Sequence, residues 1–217
     1  MGNSVTKLAF SQGAHITIPY HSLNEIQRFR ETEKDDKIEH INFVFADLRE
    51  EKSVQEIFLK QDKIDILIHL VGGFSMVDTS NYKLEDWKHQ IDLNMTTTFL
   101  VCKYALQKMA ENNYGRIVTV SSRAAIEPGA GIAAYSAAKA GVLAFTKSLA
   151  EETKGTNITA NSVLPSIIDT PANREAMGNK NAHKWVTPES LAEIICFLAS
   201  EAAGDLRGAA IPVYGNV

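Results

Sequence analysis

Short apolar runs rich in β-branched residues alternate along the chain with longer segments that repeat apolar residues at helical spacing. The short runs fall at 15–19, 41–45, 64–70, 116–120, 158–164 and 209–214. Strands that alternate with helices favour a parallel sheet. The nearly continuous apolar character of 64–70 is typical of a strand that helices cover on both faces. The pattern therefore predicts an α/β fold built on a parallel sheet.

Helical periodicity predicts helices at 4–12, 23–31, 53–61, 84–112, 133–153 and 188–200. Thr187 precedes Pro188, an order typical of a helix start because proline is favoured at the first helical position. The longest stretch without either pattern is 165–187, and such long loops in a compact domain are usually functional. We expect this stretch to be an irregular lid over a substrate.

Length and composition predict one domain that spans residues 1–217, because 217 residues with 45% hydrophobic content can bury one sizeable core. The formal charge of -4, from 22 basic and 26 acidic residues, argues against nucleic acid as a partner. No apolar run has the length of a membrane span, and the start lacks the pattern of a signal peptide. We expect a cytoplasmic protein that does not enter a membrane.

Two cysteines, Cys102 and Cys196, each lie within an apolar helical segment. This setting is typical of reduced thiols in a protein core rather than of a disulfide or a pair of metal ligands. The sequence predicts no metal site.

A tyrosine and a lysine, Tyr135 and Lys139, lie one helical turn apart, so their side chains share one face of a helix. Ser122 comes directly after the apolar run at 116–120. We expect the Lys139 ammonium to lower the pKa of Tyr135 from its ordinary value of about 10. Such a phenol can exchange protons near neutral pH, so the three side chains predict chemistry on a carbonyl or an alcohol.

Further motifs accompany these three residues. Asp65-Ile-Leu-Ile-His-Leu-Val-Gly ends one apolar run, Asn94 lies in Ile-Asp-Leu-Asn-Met-Thr, and Pro165-Ser-Ile-Ile-Asp-Thr-Pro follows another. With these motifs the chain, from Gly2 to its end, resembles the short-chain dehydrogenase/reductase family. The resemblance implies a Rossmann-like, doubly wound parallel sheet. It also implies an NAD(P)-dependent oxidoreductase that interconverts a carbonyl and a secondary alcohol.

In that family four side chains act on the substrate, and the resemblance carries their roles to this chain. Ser122 would hold the substrate oxygen and Tyr135 would transfer the proton. Lys139 would lower the pKa of the tyrosine and bind the cofactor ribose, and Asn94 would anchor a proton relay through water. An alkoxide that develops during hydride transfer needs such a positioned donor and acid.

The resemblance also implies cofactor contacts. Asp47 and Leu48 match an adenine-binding pair, and Leu70-Val71-Gly72 stands where the family has Asn-Ala-Gly. His69 and Leu70 replace asparagines that brace the family's sheet, and a lone histidine in an apolar strand is more typical of a core residue than of a ligand. The segment that holds the nicotinamide is matched by Pro165, Ile168 and Thr170.

The start of the chain departs from the family, which opens with a strand and a glycine-rich turn that binds the pyrophosphate. Gly2 matches the last glycine of that turn, and the first strand is absent. Because that strand lies in the middle of the family's sheet, we expect an interrupted sheet and weak NAD(P)H binding. A fragment or a misplaced start codon and a genuinely short protein are both open explanations.

The resemblance to the family also bears on the cofactor, the function and the assembly of the chain. The segment 19–22, Pro-Tyr-His-Ser, has neither an acid nor an arginine, which favours NADP over NAD. An alternative to the enzyme is a catalytically silent scaffold or interaction protein that has lost dinucleotide binding. The helices at 84–112 and 133–153 predict a homodimer or homotetramer.

Candidates for an apolar substrate pocket are Phe74, Ala124, Ala125, Ile126, Met177 and Trp185.

Overall fold

The structure, a computed structural model, describes residues 1–32 and 41–217 of the chain. Its strands are β1 (Thr17–Tyr20), β2 (Asn42–Phe45), β3 (Ile66–His69), β4 (Gly115–Val120), β5 (Ile158–Pro165) and β6 (Ala210–Val213). Each lies within or overlaps a run that the sequence predicts as a strand. All the pairs are parallel, so the prediction of a parallel α/β fold is confirmed.

The strands form two sheets. One pairs β1 with β2, and the other has the order β3-β4-β5-β6. No strand among residues 1–32 and 41–217 joins β1 to β3. The sheet is therefore interrupted where the sequence predicts the interruption, and one edge of each sheet lacks a strand partner within the described chain.

The helices are α1 (Gly2–Ser11), α2 (Leu23–Thr32), α3 (Glu51–Leu59), α4 (Leu84–Ile91), α5 (Thr97–Asn112), α6 (Ala133–Glu152), α7 (Pro171–Met177) and α8 (Pro188–Leu198). Successive strand residues point to opposite faces. Ile117 of β4 accordingly packs with side chains of α3 and α5, whereas the next residue, Val118, packs with α1 and α8. Helices cover both faces of the larger sheet, as in a doubly wound fold.

The predicted single helix at 84–112 is interrupted by a π-helical turn at Asp92–Thr96, between α4 and α5. Within this turn the side chain of Asn94 donates hydrogen bonds to the backbone oxygen of Gln90, at 3.0 Å, and to its side-chain oxygen, at 3.2 Å. π-helical turns inside α-helices are rare and often occur at functional sites.

The expectation that 165–187 is irregular is wrong, because the stretch contains α7 and a short 3₁₀ turn at Ala182–Lys184, whereas its role as a lid stays a prediction. Thr170 caps α7, its Oγ1 accepting a hydrogen bond from the backbone nitrogen of Asn173 at 3.2 Å, and Pro171 follows in the first turn. These are the features that start a helix.

Two further predictions concern the cysteines and membrane-spanning helices. Cys102 and Cys196 are buried free thiols, as the sequence predicts, and burial raises the pKa of Cys102 to about 12. Among the residues that the structure describes, no helix is both long enough and apolar enough to cross a bilayer.

Candidate active site

The carboxyl ends of β3 and β4 meet the first turns of α6, and this junction brings the predicted catalytic side chains together. Ser121 and Ser122 directly follow β4, and Tyr135 and Lys139 lie on the first two turns of α6. The Ser121 Oγ donates a hydrogen bond to the backbone oxygen of Lys139 at 2.8 Å. In parallel α/β sheets, ligands bind beyond the carboxyl ends of the strands. The junction is therefore the candidate active site.

Ser122 and Tyr135 interact directly. Ser122 is buried, and its Oγ also accepts a hydrogen bond from the backbone nitrogen of Ala124 at 3.2 Å. Burial raises the pKa of Tyr135 above its ordinary value of 10.0, and the hydrogen bond with Ser122 opposes this shift. Because the raised pKa prevails, the phenol keeps its proton at neutral pH.

The structure does not reproduce the expected effect of Lys139 on Tyr135. The Lys139 ammonium is not among the causes of the tyrosine's pKa shift and lies 5.9 Å from the centroid of its ring. Its Nζ instead donates a hydrogen bond to the backbone oxygen of Val120 at 2.9 Å. Burial lowers the pKa of Lys139 itself to about 8. Burial of the phenol therefore outweighs the neighbouring charge.

Glycine at position 72 lets the backbone after β3 pass close to the site. A β-carbon added at Gly72 would lie 2.7 Å from the Asn94 Oδ1 and 3.0 Å from the Lys139 Nζ. Any side chain at this position would thus displace two of the predicted catalytic groups. The absence of a side chain at Gly72 therefore lets the backbone after β3 lie close to both groups.

Asn94 holds the same loop through its side chain. Its Oδ1 accepts from the Gly73 nitrogen at 3.2 Å, and its Nδ2 donates to the Gly73 oxygen at 3.0 Å. The side chain is fully buried. Gln90, which accepts from the same amide, was missed in the sequence, although an amide pair spaced by four residues on a predicted helix is a recognisable signal.

His69 lies in the core beside this site, as the sequence predicts. Its ring nitrogen Nε2 is 3.2 Å from the Thr97 Oγ1. Burial, together with the nearby charge of Lys139, lowers the pKa of His69 to about 3. The imidazole is therefore neutral at physiological pH.

A cavity of about 510 Å³ lies beside the interruption of the sheet. Of the predicted cofactor residues, Asp47, Leu48 and Val71 line it. Its other lining residues are Asn3, Ile18, Pro19, Tyr20, His21, Glu25, Ile26, Phe29, Phe43, Ala46, Arg49, Leu93 and Thr97. The cavity thus reaches from the ends of β1 and β2 to the first turn of α5.

Charged groups are concentrated at one side of this cavity. The Arg49 guanidinium binds both oxygens of Asp47, at 2.9 and 2.6 Å, and the His21 Nε2 lies 3.5 Å from the same carboxylate. The hydrogen bond from Arg49 is the main cause that lowers the pKa of Asp47 to about 2. Arg49 was missed in the sequence, although it directly follows the predicted Asp47-Leu48 pair.

The remaining predicted cofactor residues lie outside the 510 Å³ cavity. Gly2 begins α1, where an added β-carbon would meet no atom within 4 Å, and its neighbour Asn3 lines the cavity instead. Leu70 packs against the core that α1 and α8 cover. Pro165 ends β5, Ile168 forms a bridge to Val186, and Thr170 caps α7.

The candidate pocket residues divide into two groups. Phe74, Ile126 and Met177 expose their side chains, and Ala124 and Ala125 are partly exposed in the 3₁₀ turn that follows Ser122. Trp185 is buried, and its place in a substrate pocket stays a prediction.

Comparison with known proteins bears on this arrangement. A family model described as short chain dehydrogenase matches residues 1–181. The chain belongs to the short-chain dehydrogenase family. The predictions of this family and of a Rossmann-like fold are confirmed, and with them the prediction of an oxidoreductase.

Curated relatives and solved structures agree with this membership. The 3-oxoacyl-acyl-carrier-protein reductase FabG of Rickettsia conorii is 30% identical over 100% of this short-chain dehydrogenase and 92% of the relative. The acetoacetyl-CoA reductase of an Acinetobacter species is 30% identical over 82% of the chain and 76% of the relative. The structure of ElxO with NADP bound superposes with a TM-score of 0.89 over 99% of the chain and 92% of its own, at 24% identity.

Proposed function

We propose that this chain reduces a carbonyl to a secondary alcohol with NADPH, using Tyr135 as the proton donor. The observation that carries the proposal is the junction of Ser122, Tyr135 and Lys139 at the carboxyl end of β4. Of these groups, the phenol has a raised pKa, so it is protonated at neutral pH. A protonated acid suits reduction, and the curated relatives described above are named reductases.

The side chains of this chain act on the carbonyl oxygen. The Ser122 hydroxyl donates a hydrogen bond to that oxygen, and Tyr135 transfers its proton to it as the oxygen gains charge. When bound, the reduced nicotinamide supplies the hydride, with its electron pair, to the carbonyl carbon. The phenolate that remains takes a proton back from solvent, and the raised pKa of Tyr135 makes this return favourable.

The residues present fit a dinucleotide at its two ends. Asp47, Leu48 and Val71 line the 510 Å³ cavity, and Lys139 lies at the junction beyond the carboxyl end of β4, where the nicotinamide end would bind. The Arg49 guanidinium lines the cavity, and because guanidinium groups bind phosphate well, its position supports NADPH, with its 2′-phosphate, over NADH. ElxO, whose fold is similar, likewise binds NADP.

One observation favours the catalytically silent scaffold as a second candidate. The interruption between β1 and β3 lies beside the cavity, since Tyr20 at the end of β1 and Val71 after β3 both line it. An interrupted sheet orients the middle of a dinucleotide poorly. A scaffold would lack turnover with every carbonyl and cofactor, whereas the proposed reductase requires Tyr135.

Replacing Tyr135 with phenylalanine tests the proposal. The ring remains but the proton donor is lost, so we expect NADPH-dependent carbonyl reduction to fall by at least about 10²-fold. Titration calorimetry should show NADPH binding close to that of the wild type, because Tyr135 does not line the 510 Å³ cavity. Turnover is measured by NADPH absorbance over a panel of ketones and 3-oxoacyl thioesters.

The matched control is Tyr114→Phe, which removes a phenol hydroxyl from a residue whose ring packs against Arg116, outside the candidate active site. We expect the control to keep wild-type turnover. Near-normal turnover by Tyr135→Phe would exclude the phenol as the proton donor. Absence of turnover in the wild type at every cofactor concentration would favour the scaffold.

A further inference from the structure

The loop that follows β3 exposes large apolar side chains, one of which, Phe74, contacts Tyr135. Phe74 and Met76 are 61% and 65% exposed, and Ile126, after the turn that begins at Ser122, is 51% exposed. Large apolar side chains that are exposed together often mark a place where a ligand binds. The loop thus presents an apolar surface beside the proposed proton donor.

The loop is held at both of its ends, so this surface has a defined position. At one end the Gly73 backbone is bound on both polar atoms by Asn94. At the other end the Val77 nitrogen donates to the Gly131 oxygen at 2.7 Å, just before α6 begins. Both anchors belong to the segments that carry the proposed catalytic groups, and the loop therefore moves with the site.

Within this loop, Phe74 contacts the ring of Tyr135. The two ring centroids are 5.1 Å apart, and the planes meet at 78°, an edge-to-face arrangement. Such pairs are favourable and fix the relative orientation of the rings. More than half of the Phe74 side chain remains exposed, so a group bound beside the Tyr135 hydroxyl can also cover the phenylalanine ring.

We propose that Phe74 selects substrates with a flat, apolar group attached to the carbonyl, such as aryl ketones. A carbonyl oxygen bound to Tyr135 and Ser122 places its two substituents on either side of the carbonyl carbon. The exposed part of the Phe74 ring supplies an apolar surface for one of them. An aryl group there stacks on the Phe74 ring and removes its exposed apolar surface from water. A small alkyl group covers less of the ring and therefore gains less.

The proposal rests on the proposed function and deepens it. Acetophenone and butanone are suitable probes, because each carries a methyl ketone and they differ in the second substituent. We expect the wild type to prefer acetophenone in kcat/KM by about ten-fold or more, the usual size of a hydrophobic pocket effect. Phe74→Ala should remove most of this preference while leaving calorimetric NADPH binding unchanged.

Two further variants make the experiment selective. Phe74→Leu keeps apolar bulk without the ring and should retain part of the preference, which also covers the case in which the alanine variant folds poorly. Phe197→Ala truncates a phenylalanine that is 49% exposed on α8 and should keep the wild-type preference. Thermal unfolding monitored by circular dichroism confirms that each variant is folded.

The outcomes separate the two proposals. If the wild type reduces both ketones and Phe74→Ala keeps their kcat/KM ratio, Phe74 does not select the substrate, and the proposed function stands. A wild type that prefers butanone leads to the same conclusion. If the folded wild type does not oxidise NADPH with any carbonyl tested, the proposed function fails, and this inference fails with it.

Discussion

At the scale of single residues, His69 shows how one buried side chain links the sheet to the site. The Thr97 Oγ1 donates its proton to the Leu93 oxygen at 2.9 Å, so it can only accept from the His69 Nε2. The imidazole is therefore protonated on Nε2. This contact fastens the end of β3 to the start of α5, directly after the turn that carries Asn94.

Acid stability tests the burial of His69. Its pKa of about 3 in the folded protein lies below the ordinary value of 6.5, so the unfolded chain binds the proton first as the pH falls. The free energy of unfolding then decreases between pH 6.5 and about 3, by up to about 1.4 kcal/mol per pH unit. His69→Asn should remove this contribution, and urea denaturation at a series of pH values measures it.

His89→Asn is the matched control, since His89 is an exposed residue of α4. We expect this control to keep the acid dependence of the wild type. A His69→Asn variant whose free energy of unfolding falls with acid as steeply as that of the wild type would show that the imidazole is not buried in its neutral form.

The sequence predicts the residues of the site better than their electrostatics. The spacing of Tyr135 and Lys139 on one helix, after a strand that ends at Ser122, is visible without a structure. The balance between burial and charge at Tyr135 is not, because desolvation depends on every segment that packs over the phenol. Arg49 was missed for a related reason, since its ion pair with Asp47 forms only where β2 ends.

At the scale of elements, helix starts were predicted unevenly. Thr187-Pro188 and Thr170-Pro171 carry the same capping signal, and both cap a helix in the structure. Only the helix after Thr187 was predicted from the sequence. The periodic apolar face of α8 supported that prediction, whereas the seven residues of α7 are too few to show a period. The turn at Asp92–Thr96 was also missed, because it depends on the contacts of Asn94.

The helices α5 and α6 present an aromatic pair on the surface. Phe99 of α5 is 44% exposed, and its ring meets that of Phe145 of α6 with centroids 6.1 Å apart. We expect the chain to be a dimer or a tetramer, with these two helices at the interface. Phe99→Glu should shift the mass measured by light scattering toward the monomer, because a charge would be buried without a partner.

Leu59→Glu places the same charge on an exposed residue of α3 and should leave the assembly unchanged. A wild-type chain that is monomeric at micromolar concentration would contradict the predicted interface. So would a Phe99→Glu variant with the mass of the wild-type assembly.

At the scale of the whole molecule, the two sheets and the 510 Å³ cavity belong together. The edges of β1 and β3 beside the interruption lack a strand partner within the described chain. Unpaired backbone groups of this kind are costly when they are buried. The resemblance to the family predicts this interruption, since the family's first strand lies in the middle of its sheet. The extent of the cavity could not be predicted, because it is set by how α2, β2 and α5 pack around it.

We expect the proposed dinucleotide to be held less firmly at its middle, beside the interruption of the sheet, than at its ends. We therefore expect catalysis to require NADPH concentrations toward the upper end of the usual range, about 1 mM. The central claim is that the site transfers a hydride to a carbonyl carbon while Tyr135 protonates the oxygen.

The most direct test of that claim follows the transferred hydrogen. Wild type and Tyr135→Phe are incubated with a ketone panel and with NADPH that carries deuterium at the transferable position of the nicotinamide, and the alcohols are analysed by mass spectrometry. The account predicts one deuterium on the carbinol carbon with the wild type, formed at least about 10²-fold more slowly by the variant. Alcohol without deuterium, or no alcohol from a folded wild type at about 1 mM NADPH, would contradict it.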